Sequence, residues 1–287
     1  MAAPLTGPQA VTDREFRAYQ AWVLRETGIH LTDAKRQLLV GRLWRRVKDL
    51  GLPDYGAYLR LAGEGNDPEE RTRLINALCT HETQFYREPR QFEYLQQVLI
   101  PRWKREAEAG RRNKQIRVWS AACSSGEEPY SLGMSLLADL PAEEGWHCDI
   151  LATDLSSAVL ERASAGVFSM TRAAQIPEAY LKRFMLRGRG AQEGKFAVGP
   201  ALRALVNFRQ LNLQGTWPVL GKFDLILCRN VLIYFDGDGR RQVLGRLVDH
   251  LVPDGNLFLG HAETINGSGQ ALRTILPTIY AVPSRVA

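Results

Sequence analysis

The chain has 287 residues, 45% of them hydrophobic and 24% charged, with 25 Gly, 14 Pro, 4 Cys and a formal net charge of +6. Values so near the average for folded domains exclude a disordered chain, a collagen-like repeat and a disulfide-dense scaffold, and the length suits two domains, each with its own core. A charge of +6 over this length is too modest to choose among nucleic acid, an anionic lipid surface and an acidic protein.

The amino-terminal MAAPLTGPQAVTDREF has neither a basic nor an apolar targeting region. No stretch reaches the roughly 18 apolar residues of a membrane span, so a cytoplasmic protein without membrane insertion is expected. From residue 12 to about 110 the period is helical. Thr12 with Glu15 forms a capping-box signature, REFRAYQAWVLRET has apolar residues at helical spacing, and Gly28 is placed to end that helix. Thr32 is placed to cap a second helix, whose Leu39, Leu43, Val47 and Leu50 make an apolar stripe that stops at Gly51-Leu52-Pro53. On the same helix Lys35, Arg42 and Arg46 recur at i, i+7 and i+11 with Arg45 beside them, a basic face flanking the apolar one. A third helix runs through PEERTRLINALCTH. In EPRQFEYLQQVLIPRWKREAEAG, Pro101 either starts a new helix or kinks the old one, and RRNK reads as a solvated linker. The expected division is a helical domain over 1–88, a linker helix over 89–115 and a second domain over 116–287.

Beyond residue 115 the period changes. IRVWSAA, CDILATD, VNFRQL, FDLILCRN and NLFLGHAE are short, nearly continuous apolar runs, and GEEPYSLGMSLLADL, SSAVLERASAG and GDGRRQVLGRLVDHLV are helical stretches among them. Strand and helix in alternation predict a doubly wound α/β domain with a mostly parallel sheet. TILPTIYAVP reads as a closing, antiparallel strand. RFMLRGRGAQEGKFAVGP breaks the alternation and predicts a small antiparallel β-insertion at about 180–205.

Ligands of such sheets bind at the carboxyl ends of the strands. The first strand runs into SAACSSGEEP, a turn of small residues opening a helix, and the second ends in Asp154, where a carboxylate can accept both hydroxyls of a ribose. A dinucleotide site wants three glycines and a P-loop wants Gly-Lys-Ser/Thr; here Gly126 stands alone before Glu127 and Glu128. Two carboxylates repel a pyrophosphate, but one can hold the ammonium of an amino acid. Ribose at one end and a cationic amino acid at the other describe S-adenosylmethionine. The competing reading is that the two glutamates only favour the first helical turn and that Asp154 caps the next helix. Cys79, Cys123, Cys148 and Cys228 form no Cys-x-x-Cys pair and show no ligand spacing with histidine, so reduced cysteines and no metal are expected.

In order and spacing, CTHETQFYREPRQF, VWSAACSSGEEPYSL, ATDLSSAVLERASAGVF, LNL and FDLILCRNVLIYFD resemble the chemotaxis receptor glutamate methyltransferases of the CheR type, over residues 12 to 283. The resemblance implies a class I methyltransferase-like (Rossmann-like) domain with an inserted β-subdomain behind an all-α N-terminal domain. It places cofactor contacts on Thr83, Arg87, Glu128, Asp154, Asn212 with Leu213, and Arg229 with Asn230. His81 stands where the family often has Asn, and a satisfied, partly buried histidine is the alternative there. Thr83 and Arg87, four apart, share a face if their segment is helical. Tyr234 and Arg87 are the candidates for orienting carboxylate and cofactor, with core packing the alternative for Tyr234.

The function so implied is transfer of a methyl group from S-adenosylmethionine to glutamate side chains on the cytoplasmic helices of transmembrane chemoreceptors, with S-adenosylhomocysteine as product. Lys35, Arg42, Arg45 and Arg46 are the expected substrate-binding face, and the turn from Arg187 to Gly194 is a second candidate, for a receptor's C-terminal peptide. The alternatives are a non-catalytic S-adenosylmethionine-binding adaptor and an RNA methyltransferase. Against the latter, the chain lacks aromatics interleaved with basic residues and an Asn/Asp-Pro-Pro-Tyr-like tract, so no nucleic acid partner is expected.

Overall fold

The computed structural model describes residues 10–265, 269 and 271–283; the readings made on MAAPLTGPQ and on 284–287 lie outside them. The helical domain opens with the helix Asp13–Thr27, whose capping box is complete: Thr12 Oγ1 accepts the Glu15 N–H at 3.3 Å and Glu15 Oε2 accepts the Thr12 N–H at 2.8 Å. Gly28 closes it at φ 72°, a conformation only glycine adopts cheaply. The next helix, Arg36–Asp49, starts later than its sequence suggests. A single 3₁₀ turn, Asp33–Lys35, intervenes, and Thr32 makes no side-chain cap bond. Leu39, Leu43 and Val47 are fully buried against Phe16, Tyr19 and Trp22, while Leu50 lies at the rim. The helices Tyr55–Leu59 and Pro68–Leu78 complete this core.

The segment expected to link the domains is a layer of the second one. Helix Pro89–Tyr94 runs through a π turn, Leu95–Leu99, into helix Ile100–Glu108, the wider turn making room for the ring and missing N–H of Pro101. Phe92, Leu95, Leu99, Ile100 and Trp103 are buried in one cluster with the central strands, which corrects the reading of 89–115 as a linker. In RRNK, Arg111, Asn113 and Lys114 are exposed, while Arg112 donates to Asp224 at 2.6 Å with its side chain only 17% exposed.

The strands are β1 (Gln115–Ala121), β2 (His147–Asp154), β3 (Val167–Ser169), β4 (Met185–Arg187), β5 (Lys195–Val198), β6 (Val206–Gln210), β7 (Phe223–Cys228), β8 (Leu251–Leu259), β9 (Arg273–Leu276) and β10 (Ile279–Ala281). Seven of them form a sheet in the order β6-β2-β1-β7-β8-β10-β9, parallel from β6 to β8, with β10 antiparallel to both neighbours. The carboxyl-terminal tail is thus a hairpin, turning through Thr278 at φ 66°, where the sequence suggests one strand. Val118, Leu225 and Leu227 pack on one face with helix Glu127–Asp139; Trp119, Ile226 and Leu257 pack on the other with helix Gly237–Asp249. The side-chain period of two therefore feeds two cores, which is why the strands read as unbroken apolar runs.

β3, β5 and β4 form a separate three-stranded antiparallel sheet over 167–198. It begins before the predicted 180–205, because β3 has only three residues and leaves no periodic signal. Phe168 of β3 anchors it edge-on to Phe85 at 4.9 Å between ring centroids. The strand order reverses between β1 and β7, so the loops at their carboxyl ends part and leave a crevice.

Candidate active site

The crevice is a cleft of about 980 Å³, open mouth included, roofed by Thr27, Ile29 and Lys35 of the helical domain. His81, Thr83, Arg87, Glu128, Asp154, Asn212, Leu213, Arg229, Asn230 and Tyr234 all line it. Of the basic stripe only Lys35 does.

Its floor is the turn after β1. Ala122 and Ser124 adopt φ of 69° and 51°, left-handed values at residues other than glycine, which the surroundings must hold in place. They are held by bonds from three directions: Cys123 N–H to the Thr153 carbonyl at 2.8 Å, Ser124 N–H to Asp154 Oδ2 at 2.9 Å, and Ser124 Oγ to the His81 carbonyl at 3.1 Å. Asp154 is 8% exposed, and its other oxygen accepts the Ser156 N–H at 3.0 Å. The cap of helix Ser157–Ala165 is Ser156, so Asp154 is not that cap. Burial raises the Asp154 carboxyl above its ordinary value, and burial lowers His81 against the pull of the same carboxylate. The lining thiols of Cys79 and Cys123 are pushed up by burial, Cys79 to about 12, and stay protonated at neutral pH.

The two glutamates after Gly126 part company. Glu127 is buried and pairs with Arg172, which also donates to the Thr83 carbonyl at 3.1 Å. Glu128 faces the cleft, where its carboxylate accepts Ser120 Oγ at 2.6 Å and Arg229 Nε at 2.6 Å, the two side chains of the ion pair being 9% and 2% exposed. Arg229 also donates to the Arg87 carbonyl at 2.6 Å and to Gln91 Oε1 at 3.2 Å. Gln91 in turn donates to the Leu259 carbonyl and Thr278 Oγ1, so the buried guanidinium is fixed from behind by a group that no motif reading singles out.

Thr83 and Arg87 do not share a helical face. Residues 80–88 are irregular, because Pro89 keeps the residue before it out of the helical region and Glu88 sits at φ 61°. The segment is shaped by Phe85 N–H to Gln175 Oε1, Tyr86 N–H to Ser131 Oγ, and Arg87 Nη1 to the Glu82 carbonyl at 2.9 Å. Tyr234 ends the 3₁₀ turn Leu232–Tyr234, with its ring 4.3 Å from Lys35 Nζ and its carbonyl accepting the His30 N–H at 2.7 Å. Burial and the charge of Arg42 lower the Lys35 ammonium below its ordinary value. Asn212 ties the seam between domains by donating to the Glu26 carbonyl at 2.9 Å.

The remaining basic stripe divides by role. Arg42 donates to the carbonyls of Ala77, Leu78 and Cys79, closing the carboxyl end of helix Pro68–Leu78. Arg46 pairs with Glu70, which is 4% exposed and also accepts the Tyr58 hydroxyl at 2.8 Å. Arg45 reaches solvent, 3.9 Å from Asp49. Arg46→Glu is therefore expected to lower the stability of the helical domain by about 2–4 kcal/mol, since it leaves Glu70 buried and unpaired beside a like charge. Urea denaturation measures this, and a docking test belongs to Arg45→Glu, which leaves that core intact. The Arg187 to Gly194 turn joins β4 to β5 and does not line the cleft.

Among the described residues no group of three His, Cys, Asp or Glu is placed to hold a metal ion, and no helix is long and apolar enough to cross a membrane.

The family model described as the CheR methyltransferase, SAM binding domain, matches residues 81–281, and that of the CheR methyltransferase all-alpha domain matches residues 14–79. Chemotaxis protein methyltransferase 2 of Pseudomonas aeruginosa is 36% identical over 97% of this chain and 97% of its own length. The chemotaxis protein methyltransferase of Escherichia coli is 37% identical over 97% and 94%, and that of Borreliella burgdorferi 35% identical over 94% of each. The S-adenosylmethionine-binding α/β domain and the helical domain before it together place this chain in the CheR family of chemotaxis methyltransferases.

Proposed function

We propose that the chain methylates glutamate side chains on the cytoplasmic helices of transmembrane chemoreceptors, forming γ-methyl esters and S-adenosylhomocysteine at receptor arrays. The observation that carries the reading is one cleft with carboxylates and cations together: Asp154 and Glu128 for the cofactor's ribose and ammonium, Lys35 against the Tyr234 ring and Arg87 elsewhere in the same lining for an incoming carboxylate. The cofactor fits this donor set. Asp154 and Glu128 each accept two hydrogen bonds from the protein, leaving lone pairs for further donors.

S-adenosylmethionine, when bound, supplies a methyl group activated by its sulfonium. A glutamate carboxylate, with a reference pKa of about 4.3, is already ionised at neutral pH and needs no general base. The protein's work is then placement and exclusion of water. Arg229 pairs with Glu128 and fixes its orientation, the left-handed turn at Ala122 and Ser124 would let backbone approach the cofactor, and the helical domain meets the Tyr234 turn through the His30 bond. Lys35 and Arg87 attract the carboxylate, and the Tyr234 hydroxyl orients it. Arg45 on the exposed helix face and the Arg187 to Gly194 turn are the proposed receptor contacts outside the cleft.

Purified protein incubated with labelled S-adenosylmethionine and receptor-containing membranes should incorporate label into the receptor as methyl ester, which base then releases as methanol. Cofactor binding with no ester formed would mark an adaptor instead. Tyr234→Phe is expected to fold and to bind cofactor as the parent does, and to lower kcat about 10- to 100-fold, the value of one hydrogen bond to a charged group. An unchanged kcat assigns Tyr234 to packing.

A further inference from the structure

The turn after β8 returns a carboxylate beneath the turn after β7. Glu263 is 7% exposed, does not line the cleft and, among the described residues, meets no cationic side chain. Its partners are five backbone N–H groups. Oε1 accepts from Val231 at 2.9 Å, Leu232 at 2.7 Å and Ile233 at 3.3 Å; Oε2 accepts from Asn230 at 2.8 Å and Gly260 at 2.7 Å. Four successive amides of one turn thus point at one side chain. Peptide N–H groups gathered in this way make a site of positive potential that one carboxylate neutralises.

The turn is one the chain does not adopt unaided. Asn230 sits at φ 58°, and a side chain at Gly260 would lie 2.8 Å from the Asn230 N, the Asn230 Nδ2 and Glu263 Oε2. Both features bring the Glu263 carboxylate up against this turn. What the turn carries is the cleft wall: Asn230 and Val231 line it, Arg229 precedes them, and Tyr234 ends the 3₁₀ turn that begins at Leu232.

We infer that Glu263 is a positioning residue for methyl transfer, fixing the 230–234 turn so that Asn230 and Tyr234 face the reactants. The inference rests on the methyl-transfer reading for its kinetics and on geometry alone for the turn. Glu263→Gln keeps the shape but presents an NH₂ group to backbone N–H donors. It is expected to speed hydrogen exchange at the amides of 230–233 at least ~10-fold, with β1 amides unchanged, and to lower kcat at least ~10-fold with the receptor KM kept within about twofold. Adding Tyr234→Phe should then cost less than the product of the two single effects, because both act through one group.

A purely structural role is separated by Asp224→Asn, which breaks the buried pair with Arg112 at the opposite end of β7 and lowers Tm without touching the turn. Glu263→Asp, which keeps the charge and withdraws it by one methylene, is the milder probe and should show the same pattern at smaller size. The inference is overturned by wild-type exchange at 230–233 in Glu263→Gln, or by a kcat loss that Asp224→Asn reproduces at matched Tm. Absence of ester from the wild-type protein would overturn the methyl-transfer reading itself, and the exchange measurement would still decide whether Glu263 fixes the turn.

Discussion

Replacing Arg229 by alanine is expected to remove about 3–5 kcal/mol of stability, the cost of stranding one member of a buried ion pair. Glu128 would be left in a site where its side chain is 9% exposed, with Ser120 Oγ as its remaining donor. The Arg87 carbonyl and Gln91 Oε1 would each lose a donor as well. Urea denaturation should show a lower midpoint at unchanged slope, and the cofactor affinity of the folded fraction should fall, because Glu128 and the 80–88 segment are both held by this guanidinium. The pairing of Arg229→Met with Glu128→Gln separates the two effects. With both charges gone most of the stability should return, since an apolar replacement for a whole buried pair is often neutral, while cofactor binding stays weak. If the double variant bound as tightly as the parent, the pair would be a packing feature and no part of the site.

Much of this arrangement is legible in the sequence, for reasons that particular residues make plain. FDLILCRN reads as a buried strand ending in polar residues because β7 is covered on both faces and its carboxyl end opens into the cleft. The Thr12 and Glu15 cap is local, so four residues suffice to see it. The readings that miss are those in which distant chain decides. The basic stripe on helix Arg36–Asp49 has helical spacing throughout, yet Arg42 and Arg46 turn to carbonyls and a carboxylate of helix Pro68–Leu78, and spacing on one helix carries no news of its neighbour. Thr83 and Arg87 stand at i, i+4, but Pro89 and the contacts to Gln175 and Ser131 draw the segment out of helix. β3 has too few residues to show a period. Gln91 and Glu263 bond to backbone far along the chain, so neither belongs to a spacing pattern; the visible trace of Glu263 is a lone acid at the end of the apolar run NLFLGHAE.

Asp154→Ala is expected to weaken S-adenosylmethionine binding by about 1–3 kcal/mol, roughly 5- to 150-fold in Kd, through loss of charge-assisted hydrogen bonds to the ribose. Acid should act on the parent protein in the same direction. Burial raises the Asp154 carboxyl above its ordinary 3.8, so the proton that blocks ribose binding is taken up at a higher pH than for an exposed aspartate. The sign for folding is opposite. A raised folded-state value contributes stability that is complete below 3.8 and is lost as pH rises through the raised value, so ionised Asp154 burdens the unliganded fold where it serves the ligand. His81 contributes the other way. Its value is lowered from 6.5, so its contribution is present above 6.5 and is lost as pH falls through the lowered value. Calorimetric Kd values followed downward from pH 7 should therefore rise in the parent and stay flat in Asp154→Ala. Equal slopes in the two proteins would move the titrating proton from Asp154 to His81, and a parent-like Kd for the variant at pH 7 would remove Asp154 from the ribose site.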